Sequence, residues 1–320
     1  MINIAILGFG TVGSGVFEII KNDSQLLYKK SGKALNVKYI LDKKDFSEHS
    51  DSNIFTTNLD DILGDKEVDI IVETIGGTEI AYNLTKKAFG LKKHVVTSNK
   101  DLIAAHGPEL LGLAQENHVQ YLFEASVGGG IPIIKSIKEC LHANKIESIE
   151  GILNGTTNYI LSRMLSEKLS FTEALKDAQE KGYAEADPSS DIEGADSARK
   201  LAILSSIAFE SFVEYKKIPT EGIQNVTYQV LRTALSNNTK IKLIALSRIV
   251  DGKVATSVKP TVILEGHPLY YVDGVNNAIL VTGNNVGQVM FYGQGAGKLA
   301  TASAVVGDII DIVKKEKASD

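Results

Sequence analysis

The chain has a single cysteine in 320 residues, Cys140, so it can close no internal disulfide. That scarcity points to a reducing compartment, and a cytoplasmic protein is expected. Cys140 falls in "IPIIKSIKECLHANK", which reads as an amphipathic helix with no histidine motif nearby. A buried structural thiol is expected there, not a nucleophile. The six histidines are scattered, with no HExxH and no paired zinc spacing, which argues against transition-metal catalysis. Basic residues are not in excess. With 34 Lys and Arg against 39 Asp and Glu the net charge is −5, giving no general attraction to nucleic acid or an anionic membrane. No apolar run approaches the roughly 20 residues needed to cross a bilayer. The opening "MINIAILGFG" lacks the basic segment of a signal peptide and reads as a strand. There is no internal repeat, and only the tail "KKEKASD" reads as disordered.

What is present is a packed, globular composition, 43% hydrophobic. "NIAILGFGTVGSGVFEIIKN" reads as a buried strand, a glycine turn and an amphipathic helix. Further strands are expected in "NVKYILDKK", "VDIIVETIGG", "KKHVVTSNK" and "HVQYLFEAS", with a helix in "TEIAYNLTKKAFGLK". Near-continuous apolar strands alternating with helices predict an α/β domain with a doubly wound parallel sheet, placed at residues 1–130. The pattern then changes to α+β over 131–294. Helices are expected in "FTEALKDAQEKG", "DSARKLAILSSIAFES" and "YQVLRTALSNN". Asp251-Gly252 is expected to turn a hairpin between two β-rich runs. The segment at about 295–315 is expected to be a helix that returns to the first domain.

"GFGTVG" places Gly8, Gly10 and Gly13 after a strand and before a helix, the context of a dinucleotide-binding turn. The first glycine permits the turn, the second lets N–H groups approach a pyrophosphate, and the third lets helix and strand pack closely. Other cofactor contacts are expected where strands end, at Glu73-Thr74-Ile75-Gly76-Gly77 and at Thr97-Ser98-Asn99-Lys100. Asp42 closes the second strand, where a carboxylate can accept hydrogen bonds from the ribose of NAD; Lys43 and Lys44 follow and could instead meet the phosphate of NADP. NAD is the favoured coenzyme.

"GYAEADPSSDIEGADSARK" crowds Glu185, Asp187, Asp191, Glu193 and Asp196 into twelve residues, closed by Arg199 and Lys200. Asp196 and Lys200 are four apart, which puts them on one face of a helix expected to begin near Ser197, with Asp196 near its N-cap. A solvated acidic loop beside a surface ion pair is the competing reading. A substrate carrying an ammonium group needs carboxylates, and an alcohol being oxidised needs a base.

The run Ala178, Gly182-Tyr183-Ala184, Asp187-Pro188, Asp191-Ile192, Gly194, Asp196, Lys200 resembles the signature of homoserine dehydrogenases. "LNGTTNYIL", "EASVGGGIPII", "VTSNK" and "GQGAG…TASAVVGDI" are similar to that family too, so the likeness covers nearly the whole chain. It implies NAD(P)-dependent interconversion of L-homoserine and L-aspartate 4-semialdehyde by a Rossmann-type domain and a substrate-binding, dimerising domain. By matching position, Glu185 and Asp196 would bind homoserine, supported by Asp191. Lys200 would be the catalytic acid/base, and Lys100 would lie beside nicotinamide and substrate. Phe9, Thr11, Val12, Gly182 and Gly297 match cofactor contacts, beside Thr74 and the glycine turn. The likeness also implies a monovalent cation, usually sodium in that family, at Glu124, Val127, Gly129 and Ile131. Two departures stand out: many relatives carry a C-terminal regulatory domain that is not expected here, and many place an arginine where Asp42 falls. A different Rossmann-type amino-acid dehydrogenase and a non-catalytic NAD(P)-binding regulator are the alternatives.

Overall fold

Ile2–Leu7 (β1) buries every side chain except Asn3, as a strand covered on both faces must. The glycine turn follows, then Thr11–Asn22 (α1), Ser24–Ser31 (α2), Leu35–Leu41 (β2), Phe55–Thr56 (β3) and Leu59–Leu63 (α3). Ile70–Glu73 (β4), Glu79–Gly90 (α4), His94–Thr97 (β5), Lys100–Glu116 (α5) and Tyr121–Leu122 (β6) complete the first run. These strands pair in parallel in the order β3-β2-β1-β4-β5-β6, so the chain reverses direction across the sheet between β1 and β4.

The computed structural model describes residues 1–319, in two units: residues 1–130 together with those from Gly297 onward, and residues 131–296. The second unit contains Ile146–Ile152 (β7), Gly155–Glu167 (α6), Phe171–Glu180 (α7), Ser189–Ile192 (α8), Ala195–Ala208 (α9) and Tyr228–Ser236 (α10). Its remaining strands are Thr239–Val250 (β8), Lys253–Leu264 (β9), Asn276–Gly283 (β10) and Gly287–Gln294 (β11). They form an antiparallel sheet in the order β11-β10-β7-β8-β9. Asp251 (φ 49°) and Gly252 (φ 74°) turn the β8–β9 hairpin with the two positive φ angles that suit the right-handed twist of its strands.

Lys298–Ser319 (α11) packs into the first unit. Its Ala302, Val305, Val306, Ile309, Ile312 and Val313 share a core with Ile4 and Ile6 of β1 and Val16 and Ile20 of α1. Each buried valine or isoleucine contributes roughly 1.5–3 kcal/mol, so this helix is integral to the unit that carries the glycine turn. Among the described residues, no helix is long and apolar enough to cross a membrane.

Several expectations need correction. The tail expected to be disordered continues α11 through Ser319, anchored where Glu316 meets His94 Nε2 at 2.9 Å; Asp320 lies outside the described residues. Cys140 is exposed, not buried. Its segment winds as a π turn, Ser136–Cys140, closed by Leu141 N–H donating to Ser136 O at 2.9 Å. The wider turn keeps Ile133, Ile134, Ile137 and Leu141 inside and leaves Cys140 off that face. "HVQYLFEAS" yields only the two residues of β6 before a 3-10 turn at Glu124–Ser126. The 17-residue α5 was hidden by Gly107, Pro108 and Gly112, which break helical sequence patterns.

Candidate active site

In the first unit, the glycine turn lies at the carboxyl end of β1, where the strand order reverses and open α/β sheets bind ligands. Gly8 has φ +96°, a backbone conformation that disfavours side chains. At Gly13, a Cβ would fall 1.9 Å from the carbonyl oxygen of Gly8, so only hydrogen fits between turn and helix. At Gly10, a Cβ would meet nothing within 4 Å, which leaves open space over the first turn of α1. Gly10 is also the N-cap of α1 and adds no side-chain cap, so the helix start, with Thr11 exposed, suits an anion.

The loop is held from two sides. Thr74 shares its hydroxyl hydrogen between the carbonyls of Leu7 and Gly8, each at 2.9 Å. Asp42 accepts from the Phe9 N–H at 2.7 Å through Oδ2 and from the Lys44 N–H at 3.0 Å through Oδ1. Burial works against ionisation of Asp42, but these N–H groups outweigh it and hold the carboxyl below its ordinary range. The Phe9 ring meets Phe17, Phe46, His49 and Phe55 edge-on. Beside Asp42 opens a cleft of about 540 Å³, lined by Lys43, Lys44, Phe46, Phe55 and Thr56.

Lys100 is the first residue of α5, whose N-cap Asn99 accepts from Leu102 N–H at 3.0 Å. The strand ends also hold Glu73, which the sequence marks as a strand-end cofactor contact without showing that it braces two loops. Glu73, fully buried at the end of β4, accepts from the Thr97 hydroxyl at 2.6 Å and from the N–H groups of Ile75 and Gly76 at 3.0 and 3.4 Å. Thr97 accepts in turn from Asn99 N–H at 2.9 Å, and Asn99 Nδ2 donates to Gly77 O at 2.7 Å. One carboxylate therefore ties together the loops after β4 and β5. Burial pushes it above its ordinary range, and the Thr97 hydroxyl and the two N–H groups pull back. The signal for it was an acidic residue ending an otherwise apolar strand.

Glu124 and Val127 are buried, and Gly128 and Gly129 both have positive φ (74° and 56°). Glu124 N–H donates to Asp308 Oδ2 at 2.9 Å. Ile131 opens the second unit, where its carbonyl accepts from Ile133 N–H at 2.9 Å. Among the described residues no group of three or more His, Cys, Asp or Glu could hold a metal.

In the second unit, α9 begins at Ala195, two residues before the expected start, with Gly194 (φ +87°) as its cap. Asp196 is therefore in the first turn and not at the cap. It is buried, and Lys200 Nζ reaches its Oδ2 at 2.7 Å. A second Nζ hydrogen donates to the carbonyl of Leu153 at 2.8 Å, so two of the three ammonium donors are spoken for. Asn154 donates to Asp191 Oδ1 at 2.7 Å and to Asp196 Oδ2 at 2.9 Å. Burial, with Asp196 next, pushes Asp191 above its ordinary range. Asn154 lies in "LNGTTNYIL" but has no role in the sequence reading, although a polar residue ahead of "GTTN" is an N-cap signal.

The acidic run is thus divided by the fold. Asp191, Asp196 and Lys200 come together. Glu185, Asp187 and Glu193 are exposed, and Asp187 accepts from Ser189 N–H at 3.1 Å in a local turn. Gly182 (φ +73°) is also exposed. Glu185 is fixed through its main chain, where Gln179 Nε2 donates to its carbonyl at 3.1 Å. Arg199 lies over the Tyr215 ring, 5.4 Å from its centroid, and donates to Ser190 at 3.1 Å. A lysine, a buried and a half-buried carboxylate and a nucleotide-type turn supply the parts for proton transfer, ammonium recognition and coenzyme binding.

A family model described as "Homoserine dehydrogenase, NAD binding domain" matches residues 8–124, and one described as "Homoserine dehydrogenase" matches residues 132–310. The chain belongs to the homoserine dehydrogenase family. A homoserine dehydrogenase from Synechocystis is 46% identical over 329 residues, covering 100% of this chain and 75% of that protein. The Bacillus subtilis homoserine dehydrogenase is 41% identical and covers 98% of this chain and 73% of its own. Among solved structures, a homoserine dehydrogenase from Thiobacillus denitrificans superposes with a TM-score of 0.95 at 43% identity, covering 99% of this chain and 74% of that one. A hyperthermophilic archaeal homoserine dehydrogenase in complex with NADPH gives a TM-score of 0.83 at 33% identity, covering 98% of each chain. Family membership makes this chain an oxidoreductase with an NAD-binding domain, which disposes of the non-catalytic reading.

Proposed function

We propose that the protein interconverts L-homoserine and L-aspartate 4-semialdehyde with a nicotinamide coenzyme, and that Lys200 moves the proton. The observation that carries this is the bonded trio of Lys200, Asp196 and Asp191, with Asp196 buried and the other two half-buried, in a chain of this family. A bound nicotinamide accepts or supplies the hydride. An alcohol gives up hydride poorly while it keeps its proton, so a base must sit at the hydroxyl oxygen. Lys200, fixed through Leu153 O and Asp196, has one position left for that oxygen, where the neutral amine's lone pair would take the hydroxyl proton. In the reducing direction the ammonium protonates the alkoxide as it forms. Asp196 and Asp191 receive the amino end of the substrate, with Glu185 on the exposed side, and Lys100 assists from the start of α5.

The coenzyme would be held by Gly8, Phe9, Gly10, Thr11, Val12 and Gly13, with Thr74 buttressing the turn and Asp42 at the ribose. NAD is the favoured form; Gly182 and Gly297 complete the proposed contacts. By family likeness a monovalent cation such as sodium is proposed at the oxygens of Glu124, Val127, Gly129 and Ile131; Glu124 is buried, and Gly128 and Gly129 have left-handed backbone. A homodimer is proposed through the antiparallel sheet, whose edge strand β9 exposes Val262 and Leu264. Light scattering that shows a monomer at assay concentration would refute the dimer. The central test is NAD(P)H oxidation with aspartate semialdehyde. Turnover is expected, and none with either coenzyme would overturn the reading.

A further inference from the structure

Asn154 stands where β7 gives way to α6 and is 5% exposed. Its Oδ1 accepts from Thr157 N–H at 2.8 Å and from the Thr157 hydroxyl at 3.0 Å. Those bonds settle which way the amide faces, because the reversed amide would set an NH2 against two donors. The NH2 group therefore points at the acids and gives one hydrogen to each, at 2.7 Å to Asp191 and 2.9 Å to Asp196. The preceding residue, Leu153, holds Lys200 through its carbonyl. Two consecutive residues thus contact all three members of the trio.

We propose that Asn154 is a positioning residue that holds Asp191 and Asp196 side by side as an ammonium site by dividing its two N–H donors between them. This rests on the functional reading above. Two carboxylates that face one substrate, one buried and one half-buried, repel until the ammonium arrives, and both tend to turn away or take up a proton. Lys200 is bonded to Asp196 and not to Asp191, so Asn154 is the amide link through which Asp191 joins the pair. The groups that bear on the charge of Asp191 are Asp196, Lys200, Asn154 and the hydroxyl of Thr156. The α6 cap alone would not require an amide, since serine and aspartate cap a helix about as well as asparagine.

That equivalence gives the test. Asn154→Ser and Asn154→Asp both keep a capping oxygen and both remove the shared donors. Each is measured beside the wild type with homoserine and with the coenzyme. We expect the homoserine KM to rise at least tenfold in Asn154→Ser and further in Asn154→Asp, where a third carboxylate replaces the donor. The coenzyme KM should stay within about twofold. The acid limb of kcat/KM for homoserine should move to higher pH in Asn154→Ser, because Asp191 has lost a hydrogen bond that favours its ionised form. Unchanged homoserine KM and acid limb in both variants, with an active wild type, would leave Asn154 as a helix cap only and overturn the proposal. A wild type that does not turn over homoserine would instead refute the functional reading.

Discussion

The two units bring different materials to the proposed reaction. The first offers backbone: an open turn at Gly10, a helix start, and glycines that keep side chains out. The second offers side chains: a lysine bonded to a buried carboxylate, which Asn154 links to a half-buried one. A backbone site is specified by what must be absent, so its signal is glycine at fixed spacing. A side-chain site is specified by which of several similar residues the fold turns inward. Glu185, Asp187 and Glu193 carry the same charge as Asp191 and Asp196 but are exposed.

The largest effect should come from the side-chain half. Lys200→Ala is expected to lower kcat at least about a hundredfold, as loss of a general acid/base does, with coenzyme affinity nearly unchanged. Steady-state kinetics in both directions measures it. A near-normal kcat would move the proton to another group, with Lys100 the first to test.

Next come the two kinds of acid. Asp196→Asn removes the buried charge partner of a half-buried lysine, a change that costs up to about 3–5 kcal/mol in stability when the pair is fully enclosed. It should raise the homoserine KM more than tenfold and lower the melting temperature. Glu185→Gln, at an exposed position, should raise KM by a smaller factor and leave melting unchanged. If the two variants behave alike, burial is not what separates working acids from solvated ones here. If both leave KM and kcat intact, the acidic run binds no ammonium.

The backbone half can be broken by a single methyl group. Gly13→Ala places a Cβ 1.9 Å from Gly8 O and should cost roughly 1–3 kcal/mol as the turn shifts. A melting temperature several degrees lower and a raised coenzyme KM are expected. Gly10→Ala meets nothing in the protein, so it should melt normally and still weaken the coenzyme, since its methyl would occupy the space left for phosphate. Equal melting for the two variants would contradict this account of the turn.

The same contrast explains what could be read in advance. Strands β1, β2, β4 and β5, helices α1, α4, α7, α9 and α10 and the hairpin at Asp251-Gly252 follow from apolar periodicity and turn chemistry. Helix α5 escaped because glycine and proline inside it mimic a break, and Cys140 was misplaced because a π turn does not show in an α-helical period. The glycine turn could be argued from residues alone. The sorting of the acids could not: it depends on Asn154 and Leu153, which are 37 or more residues away from their partners and reach them only once β7 and α9 are packed. Resemblance supplied the roles of Asp191, Asp196 and Lys200, whereas the bracing by Glu73 and the link through Asn154 emerged from hydrogen bonds.

The smallest expected effect tests where the two kinds of site meet, at Asp42, a side chain that serves the backbone turn. Its carboxylate already accepts from Phe9 and Lys44 N–H, yet a carboxylate has about four acceptor positions, so ribose hydroxyls can still be received. The 2′-phosphate of NADP would face the same negative charge, while Lys43 and Lys44 in the adjoining cleft offer only point charges in compensation. A preference for NADH of less than tenfold is therefore expected from kcat/KM with aspartate semialdehyde saturating. Asp42→Ala frees Phe9 N–H as well, and that loosening weakens both coenzymes alike, so the NADH-to-NADPH ratio isolates the charge; it should fall toward one. Asp42 is held below its ordinary range and stays ionised across neutral and mildly acidic pH. The phosphate does not: with a second pKa of about 6 it takes up a proton as pH falls, and repulsion weakens. The wild-type preference for NADH should shrink below that pH, and Asp42→Ala should show little of this dependence. A wild-type preference of tenfold or more for NADPH, or one for NADH that Asp42→Ala leaves untouched, would place coenzyme discrimination on other residues.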